Sequence, residues 1–296
     1  MRDDYELLDS GDGRKLERFG RYVLARPCSQ AMWRPAKSAA EWAKADASFD
    51  REDGNNWHGR ANLPKEWQIE TAGVRFKLGG TDFGHLGIFP EQRAQWRWIR
   101  QRVGEAASDQ RPRSEDAAGT VLPRVLNLFA YSGGSTMAAA LGGAEVCHLD
   151  ASKGMVEWAR ENARLNGLAD RPIRWIVDDA HKFMKREIRR GRTYDAIILD
   201  PPTFGRGAGG EMYKIERDLK DTLKLVKELL SEKPLFVLFS SHTPGLSQIV
   251  AENILAQLFP DARLESGEML LEPHPASPIP RPFSCPSGIF CRAVWR

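Results

Sequence analysis

Short apolar runs recur along the last two thirds of the chain, and patterns typical of amphipathic helices lie between them. A short, mainly apolar run indicates a strand that is buried on both faces of a parallel sheet. The predicted strands are residues 125–128, 144–149, 173–177, 196–199 and 235–239, and the predicted helices include residues 153–165, 218–230 and 246–259. This alternation predicts an α/β fold.

The fourth predicted strand delivers a carboxylate and two prolines to its carboxyl end, in the segment Asp200-Pro201-Pro202-Thr203-Phe204. Ligands of open parallel sheets bind beyond the carboxyl ends of the strands. Prolines lack N–H donors, so the carbonyls beside Asp200 are available as acceptors. These groups and the Phe204 ring suit a flat ring that carries an amino group. The candidate catalytic residues are Asp200, Pro201, Pro202 and Phe204; the alternative is a solvated turn.

A glycine turn follows the first predicted strand, where residues 127–136 read Asn-Leu-Phe-Ala-Tyr-Ser-Gly-Gly-Ser-Thr. Gly133 and Gly134 can adopt positive φ and let a ligand approach the backbone, and the N–H groups of the following helix favour electron-rich ligand groups. The segment lacks the three-glycine spacing of a dinucleotide fingerprint and the Gly-Lys pair of a nucleoside triphosphate site.

Acidic residues close the next two strands. Asp150 is placed to accept hydrogen bonds from both hydroxyls of a ribose. Asp178 and Asp179 follow the third strand, and one of them can accept a hydrogen bond from the amino group of adenine. A glycine turn, two acidic strand ends and an Asp-Pro-Pro segment, in this order, are typical of class I S-adenosylmethionine-dependent methyltransferases.

These motifs resemble those of bacterial methyltransferases that modify cytosine or guanine in large-subunit ribosomal RNA. The resemblance covers residues 85–245 and rests mainly on residues 127–133, 150–152, 158–167 and 200–204. It includes residues 87–93, Gly-Ile-Phe-Pro-Glu-Gln-Arg, which are similar to a Gly-x-Phe-Leu-Asp-x-Arg segment that those enzymes place near the cofactor. Pro90 replaces the leucine of that segment.

The resemblance implies a Rossmann-like, seven-stranded methyltransferase sheet whose last strand is antiparallel, with residues 262–271 and 289–295 as the closing pair. It implies S-adenosyl-L-methionine as the cofactor and RNA, with ribosomal RNA as the best guess, as the substrate. The cofactor-binding residues that we expect are Gln92, Arg93, Asn127, Phe129, Tyr131, Ser132, Gly133, Ser135, Asp150, Ala151, Ser152, Asn162, Asp178, Asp179, Ala180 and Asp200.

One departure from the resemblance bears on the mechanism. Cytosine-C5 members carry a cysteine in a Phe-Ser-Cys-Ser segment after the fifth strand, whereas residues 239–242 of this chain read Phe-Ser-Ser-His. Thr203 also stands where another cytosine-C5 group has cysteine. Methylation of an aromatic carbon normally needs a nucleophile such as a thiolate. We therefore predict transfer to a nitrogen, with Asp200 or a neighbouring carbonyl orienting a base amine.

Two basic stretches and one histidine are candidates for contact with RNA. The first stretch interleaves arginines with Trp96 and Trp98, and it supplies Arg97 and Arg100 as substrate-binding candidates. The second covers residues 182–192, and His242 follows the fifth strand. The structural alternatives are solvated helix faces, tryptophans that anchor the core and a hydrogen-bonded loop histidine.

Composition narrows the class of protein. At 296 residues and 42% apolar content, the chain can bury an α/β core and one small extra domain, and its net charge of +3 says little about nucleic acid. The four cysteines lack zinc-ligand spacing: Cys147 lies in a predicted strand, and Cys28 is isolated in the sequence. We therefore expect no metal site. No signal peptide or long apolar span opens the chain, so we expect a cytoplasmic protein without a membrane partner.

The first 80 residues differ in pattern from the rest of the chain, because they indicate short strands and hairpins rather than alternating strands and helices. Residues 5–19 read as a hairpin, residues 22–25 as a strand and residues 69–78 as a second hairpin. We predict a small β-rich accessory domain for substrate recognition over residues 1–80 and the methyltransferase domain over residues 81–296. Residues 105–120 read as a mobile connection, residues 205–210 as a glycine-rich segment that closes over substrate, and residues 273–286 as a proline-rich loop.

Two other classes of function remain open at this point. A small-molecule or protein amine presented to Asp200 would make the protein a methyltransferase with another substrate. The same α/β framework also supports oxidoreductases and nucleotide-binding modules. The methylated base and atom are not specified by the sequence, and a homo-oligomer is left open.

Overall fold

A computed structural model of the protein describes residues 3–51, 54–109, 122–206, 212–273 and 283–295. The chain divides into two compact units, one of Met1–Arg93 with Met269–Ser287 and the other of Ala94–Glu268 with Gly288–Arg296. Most of the predicted connection 105–120, of the glycine-rich segment 205–210 and of the proline-rich segment 273–286 lies outside the described residues.

The first unit is rich in β-structure. Its strands are β1 (Tyr5–Gly11), β2 (Arg14–Phe19), β3 (Tyr22–Pro27), β4 (Ala47–Asp50), β5 (Asn56–His58), β6 (Trp67–Thr71) and β7 (Val74–Leu78), with the short helix α1 (Ala39–Trp42) before β4. Strands β1 to β5 form one sheet in sequence order, and β6 pairs with β7. Both predicted hairpins are confirmed. Buried Phe19, Phe49 and Phe76 form part of the core of this unit.

The second unit is built on a seven-stranded sheet, of which the strand residues 269–271 and 285–287 belong to the first unit. Its strands are β8 (Arg124–Leu128), β9 (Glu145–Asp150), β10 (Ile173–Val177), β11 (Ala196–Leu199), β14 (Phe236–Ser241), β15 (Arg263–Leu271) and β16 (Cys285–Val294), and a small hairpin consists of β12 (Phe204–Arg206) and β13 (Met212–Lys214). The strand order is β10-β9-β8-β11-β14-β16-β15. Strands β8 to β11 and β14 are parallel, and β16 runs antiparallel to β14. The predicted Rossmann-like sheet with an antiparallel last strand is therefore confirmed.

Helices accompany this sheet. They are α2 (Arg93–Ser108), α3 (Gly134–Leu141), α4 (Lys153–Leu165), α5 (Ala180–Arg189), α6 (Ile215–Glu228) and α7 (Gln248–Leu258). Alternate strand residues such as Leu126, Ile197 and Val237 pack with α5, α6 and α7 into one apolar cluster. Because successive side chains of a strand point to opposite faces, the mainly apolar runs supply a core on both sides of the sheet.

Three element boundaries differ from the sequence-based predictions. Helix α2 continues to Ser108, so residues 105–108 are helical rather than part of a mobile connection. Gly205 lies in the β12–β13 hairpin. Cys285 and Pro286 already belong to β16, although their segment reads as irregular because of its prolines. Backbone pairing with neighbouring strands overrides local propensity at such positions.

The tryptophans of α2 are core anchors. Trp96 is buried, and Trp98 packs against Phe236 with ring centroids 4.8 Å apart and carries the Arg292 guanidinium 4.1 Å from its ring centroid. Gly134 lies directly against Trp96, since a Cβ added at this glycine would fall 2.6 Å from the indole ring. Trp96 and Trp98 therefore anchor the core, and the interpretation that they stack on bases is wrong.

We expect Gly134→Ala to lower the free energy of unfolding by about 1–3 kcal/mol, because the added methyl group overpacks the contact with Trp96. Urea denaturation measures the change. Gly154→Ala is the matched control: the nearest atom to its added Cβ is the Ser152 Oγ at 4.0 Å, and the substitution is expected to stabilise α4 by up to about 1 kcal/mol. Equal stability of the Gly134 variant and the wild type would contradict the assigned packing.

Candidate functional site

The glycine turn between β8 and α3 has an unusual backbone. Phe129 and Tyr131 have φ values of +54° and +50°, and Gly133, at +87°, precedes the first residue of α3. Non-glycine residues with positive φ are uncommon and cost free energy, so neighbouring contacts must hold them. The Ala130 N–H donates to the Leu149 carbonyl at 3.0 Å, which ties the turn to the end of β9.

Asp150 is the second group that holds this turn. One oxygen of its carboxylate accepts from the Tyr131 N–H at 2.9 Å, and the other accepts from the Ser152 N–H at 2.8 Å. Burial raises the pKa of Asp150, and the two backbone hydrogen bonds oppose that rise. A carboxylate has about four acceptor positions. Asp150 can therefore hold the turn and accept two ligand hydroxyls at the same time.

A buried polar layer supports the turn from below. The Asn162 side chain donates to the Ser132 carbonyl at 2.9 Å, and the Asn127 side chain donates to the Thr136 Oγ1 at 2.9 Å. Thr136 Oγ1 in turn lies 2.9 Å from His148 Nδ1. Of the predicted cofactor-binding residues, Asn127, Ser132 and Asn162 are thus buried in this layer, where they support the backbone of the turn.

His148, which the sequence analysis did not select, completes this layer. Its ring lies 4.9 Å from the Trp175 ring, and burial, together with the charge of Arg160, lowers its pKa to about 3. Since Asn127 donates to Thr136, the Thr136 hydroxyl can donate to Nδ1, which places the imidazole proton on Nε2. His148 is therefore neutral at physiological pH.

The free energy of unfolding should fall as acid is added, because unfolded histidine binds a proton near pH 6.5 and folded His148 does so only near pH 3. Above pH 6.5, His148 is neutral in both the folded and the unfolded chain, so its titration does not change the stability. As the pH falls towards 3, we expect the free energy of unfolding to decrease by roughly 3–5 kcal/mol. Urea denaturation at a series of pH values measures it. His148→Gln should flatten this part of the profile, whereas the exposed-site variant His58→Gln should leave it unchanged. An identical slope in wild type and His148→Gln would refute the assignment.

The end of β10 forms the next part of the site. Asp179 caps α5 by accepting from the Lys182 N–H at 2.9 Å. Asp178 accepts from the Asp179 N–H at 2.8 Å and forms an ion pair with Arg186. Both carboxylates are therefore fixed by protein groups and keep further acceptor capacity beside the N-terminus of α5, where Ala180 is the first helical residue.

These strand ends enclose a cavity of about 330 Å³. Its lining residues are Phe129, Leu149, Asp150, Ala151, Asp178, Asp179, Ala180, His181, Lys182, Pro202, Gly205, Met212, Tyr213, Arg217 and Asp218. Small-molecule and cofactor sites typically fall between about 300 and 1,000 Å³ and combine apolar walls with a few polar groups. The cavity brings together the predicted acids of β9 and β10 with Pro202, the last residue of the Asp-Pro-Pro sequence after β11.

One wall of the cavity was not predicted. Tyr213 packs its ring 5.4 Å from the Phe129 ring and 6.0 Å from the His181 ring. His181 Nε2 and the Thr222 Oγ1 are 2.7 Å apart, and burial raises the pKa of Tyr213 to about 12. Tyr213 follows a glycine-rich segment on a three-residue strand, so no periodic signal in the sequence marks it.

The Asp200 corner lies at the carboxyl ends of β11 and β14. Asp200 Oδ1 is 3.6 Å from Nδ1 of His242, which unites two residues predicted separately. Pro201 is buried, whereas Phe204 leaves 54% of its surface exposed. The Thr203 and Thr243 hydroxyl oxygens, 2.8 Å apart, join the two strand ends. The corner thus presents a carboxylate, an imidazole and an accessible aromatic ring.

The remaining predicted residues lie at helix starts, on α2 and in the first unit. Ser152 caps α4, and Ser135 is in the first turn of α3. In the first unit, Gln92 is buried, while Arg93 forms an ion pair with Asp3 at 3.1 Å and lies over the Tyr5 ring. Arg97 and Arg100 are exposed on α2.

The second basic stretch is partly committed to internal ion pairs. Buried Glu187 forms ion pairs with Arg174 at 3.0 Å and with Arg190 at 3.3 Å. It also accepts a hydrogen bond from the Tyr194 hydroxyl at 2.7 Å. Burial alone would raise the pKa of Glu187, but these donors hold it below its usual value. Arg186 forms an ion pair with Asp178. Arg186 and Arg190 therefore have structural roles within the protein and do not form a free phosphate-binding surface.

The first unit contains a separate cavity of about 750 Å³. Its lining includes Arg14, Lys37, Trp42, Asp46 and His58, so cationic and aromatic groups face the same space.

Within the residues that the structure describes, no cluster of three or more His, Cys, Asp or Glu side chains is arranged to hold a metal ion. No described helix is both long and apolar enough to cross a membrane.

Comparison with known proteins assigns this architecture to a family. Residues 23–240 match the sequence model of the family described as S-adenosylmethionine-dependent methyltransferase. The crystal structure of a SAM-dependent methyltransferase from Agrobacterium tumefaciens is 36% identical, with a TM-score of 0.88 over 99% of this chain and 91% of that one. A structure titled SMU.776, complexed with SAH, has a TM-score of 0.71 over 99% of this chain and 76% of that one; at 19% identity it shows the fold alone.

Two curated relatives carry the name ribosomal RNA large subunit methyltransferase K/L. The protein from Shewanella sp. (strain ANA-3) is 32% identical over 193 residues, which are 62% of this chain and 24% of the relative. The protein from Syntrophotalea carbinolica is 27% identical over 278 residues, which are 87% of this chain and 34% of the relative. The chain thus spans between a quarter and a third of the length of these relatives.

Proposed function

The chain belongs to the S-adenosylmethionine-dependent methyltransferases, and we propose that it methylates a nitrogen of a base in RNA, with ribosomal RNA as the best candidate. The observation that carries this proposal is the Asp200–His242 pair at the ends of β11 and β14, in the segment whose Pro202 lines the 330 Å³ cavity. The names of the two K/L relatives support ribosomal RNA. We place the reaction in the cytoplasm.

The residues of the cavity fit S-adenosylmethionine. Asp150 has acceptor positions for two ribose hydroxyls, Phe129 of the strained turn lines the cavity, and Asp178 with the N-terminus of α5 can meet an adenine edge. Phe129 and Tyr213 supply apolar walls. When bound, the cofactor supplies an electrophilic methyl group on a sulfonium.

We assign the chemistry of the acceptor to Asp200. Its carboxylate accepts a hydrogen bond from the N–H of the base amine, which fixes the direction of the nitrogen lone pair. Asp200 Oδ1 then takes the proton that the amine loses, and His242 Nδ1 lies 3.6 Å from that oxygen, beyond hydrogen-bond distance. The exposed Phe204 ring is available to stack on the base. Positioning of this kind lowers a barrier by roughly 7–11 kcal/mol when the geometry is good.

Binding of RNA is assigned to exposed groups outside the cavity. We propose that Arg97 and Arg100 on α2 contact phosphates, since both are exposed. We also propose that residues 1–80 act as a recognition domain beside a catalytic domain of residues 81–296. The cationic and aromatic lining of the 750 Å³ cavity supports that role, because RNA-binding sites combine such groups.

Methyl transfer to RNA tests the proposal directly. Labelled methyl from S-adenosylmethionine is offered to total RNA from cells that lack this gene and to RNA from wild-type cells, and labelled RNA is digested to nucleosides. We expect label in the deficient RNA alone, as an N-methylated base. Equal and negligible labelling of both RNAs, with label instead in the small-molecule or protein fraction of the extract, would overturn RNA as the substrate. Label on a ring carbon would overturn the nitrogen assignment.

A further inference from the structure

Two cysteines that are far apart in the sequence meet in the first unit. The Sγ atoms of Cys28, just after β3, and Cys285, the first residue of β16, are 2.8 Å apart. Two sulfur atoms that are not bonded normally stay more than 3 Å apart, and a disulfide bond measures about 2.05 Å. The pair therefore stands closer than ordinary contact, and Cys28 is isolated only in the sequence.

The two thiols have different environments. Cys28 is half-buried and Cys285 is buried. The hydrogen bond with Cys285 lowers the pKa of Cys28 to about 7, and the charge of Lys15 acts in the same direction. The same pairing raises the pKa of Cys285. Cys28 is thus the more accessible and more nucleophilic thiol, with Cys285 as its buried partner.

The other two cysteines provide an internal contrast. Cys147 in β9 and Cys291 in β16 are buried, and burial raises their pKa values to about 11 and about 12. Thiols of this kind are inert because little thiolate forms and oxidants have poor access. The contrast separates Cys28 and Cys285 from cysteines that only fill the core.

We propose that Cys28 and Cys285 form a redox-active dithiol that is reversibly converted to a disulfide by a low-molecular-weight disulfide such as oxidised glutathione. The Cys28 thiolate attacks one sulfur of that oxidant, forms a mixed disulfide and releases one thiolate. Cys285 loses its proton and attacks the Cys28 sulfur, which forms the Cys28–Cys285 bond and releases the second thiolate. Two electrons pass from the cysteines to the oxidant, and the proposal does not depend on the methyl acceptor.

The bond would fasten one segment of the first unit. Residues 269–287 return to this unit, where Pro273 forms a bridge with Leu7, the Phe283 ring lies 5.6 Å from Trp33, and the Ser287 hydroxyl donates to Glu91 at 3.1 Å. These contacts are non-covalent. A disulfide at Cys285 would fix the segment and restrict the unfolded chain, so the oxidised protein should have the higher Tm.

The test uses the full-length protein, equilibrated in buffers with graded ratios of reduced to oxidised glutathione. Samples are quenched with acid, unfolded and alkylated with a mass-tagged maleimide. We expect two of the four thiols to disappear together, a cross-linked peptide containing Cys28 and Cys285, and a Tm several degrees higher for the oxidised form. When the folded, reduced protein is alkylated at a series of pH values, the rate of Cys28 alkylation should be half-maximal near pH 7.

Matched variants separate this bond from general oxidation. Cys28→Ser and Cys285→Ala should each abolish the paired loss of thiols and the Tm shift, whereas Cys147→Ala and Cys291→Ala should retain both. Four alkylatable thiols at the most oxidising ratio would overturn the proposal. A stable adduct of glutathione on Cys28, with Cys285 still reduced, would also overturn it, because the second exchange step would not occur.

Discussion

Asp200→Ala is expected to lower kcat for methyl transfer by about 10²- to 10⁴-fold, the range for losing a positioned group that handles a proton. The variant removes the only carboxylate of the Asp-Pro-Pro segment, so the acceptor amine loses its orienting hydrogen bond. Affinity for S-adenosylmethionine should change little, because ribose and adenine contacts are assigned to Asp150 and Asp178. Single-turnover methyl transfer and calorimetric cofactor binding measure the two effects separately.

Two further variants sharpen this experiment. Asp200→Asn keeps an acceptor oxygen but cannot take a proton, so its kcat should fall between those of the wild type and the alanine variant. Asp221→Ala removes an exposed carboxylate that pairs with Lys224 at 2.8 Å, and it should leave kcat unchanged. Full turnover by Asp200→Ala with normal cofactor binding would remove Asp200 from the mechanism.

Asp150→Ala is expected to raise the Kd for S-adenosylmethionine by about 10²- to 10⁴-fold, since each hydrogen bond to a charged group contributes about 1.5–3 kcal/mol and two are lost. The variant also removes the acceptor of the Tyr131 N–H, so the strained turn loses a support. Calorimetric titration of cofactor into wild type and variant measures the Kd. At saturating cofactor, kcat should recover far more than in Asp200→Ala.

A conservative substitution distinguishes the two roles of Asp150. Asp150→Asn keeps an oxygen that can accept from one backbone N–H, and its Kd should lie between those of wild type and alanine variant. Asp221→Ala again serves as the surface control. An unchanged Kd for S-adenosylmethionine in Asp150→Ala would show that the ribose hydroxyls bind in another part of the cavity.

The sheet was predictable because its residues carry a strong local signal. Strands such as β11, Ala196–Leu199, are buried on both faces and therefore uniformly apolar, and the acids that follow mark their carboxyl ends. The geometric rule that ligands bind at such ends predicts that Asp150, Asp178 and Pro202 line one space, as they do. The antiparallel closing pair was implied by the resemblance to a known family, and the strand order became visible only in the structure.

Other parts of the site have no local signal. His148 looks like an ordinary strand residue, and its contact with Thr136 depends on the pairing of β8 with β9. Tyr213 reaches Phe129 only because a short hairpin follows Pro202. Trp98 could equally be a base-stacking or a core residue until Phe236 and Arg292 are seen on its two sides. Long-range packing decides these cases, and local pattern does not encode it.

The position of β16 imposes an order of events on synthesis. This strand follows β15 in the chain but lies between β14 and β15 in the sheet. While the ribosome is still translating the codons before Cys285, β14 has an unpaired edge and β15 has no neighbour to join. Unpaired edges invite pairing with other chains. Completion of the sheet must therefore wait until β16 leaves the exit tunnel, and a nascent chain that stalls shortly before it is the form most exposed to aggregation.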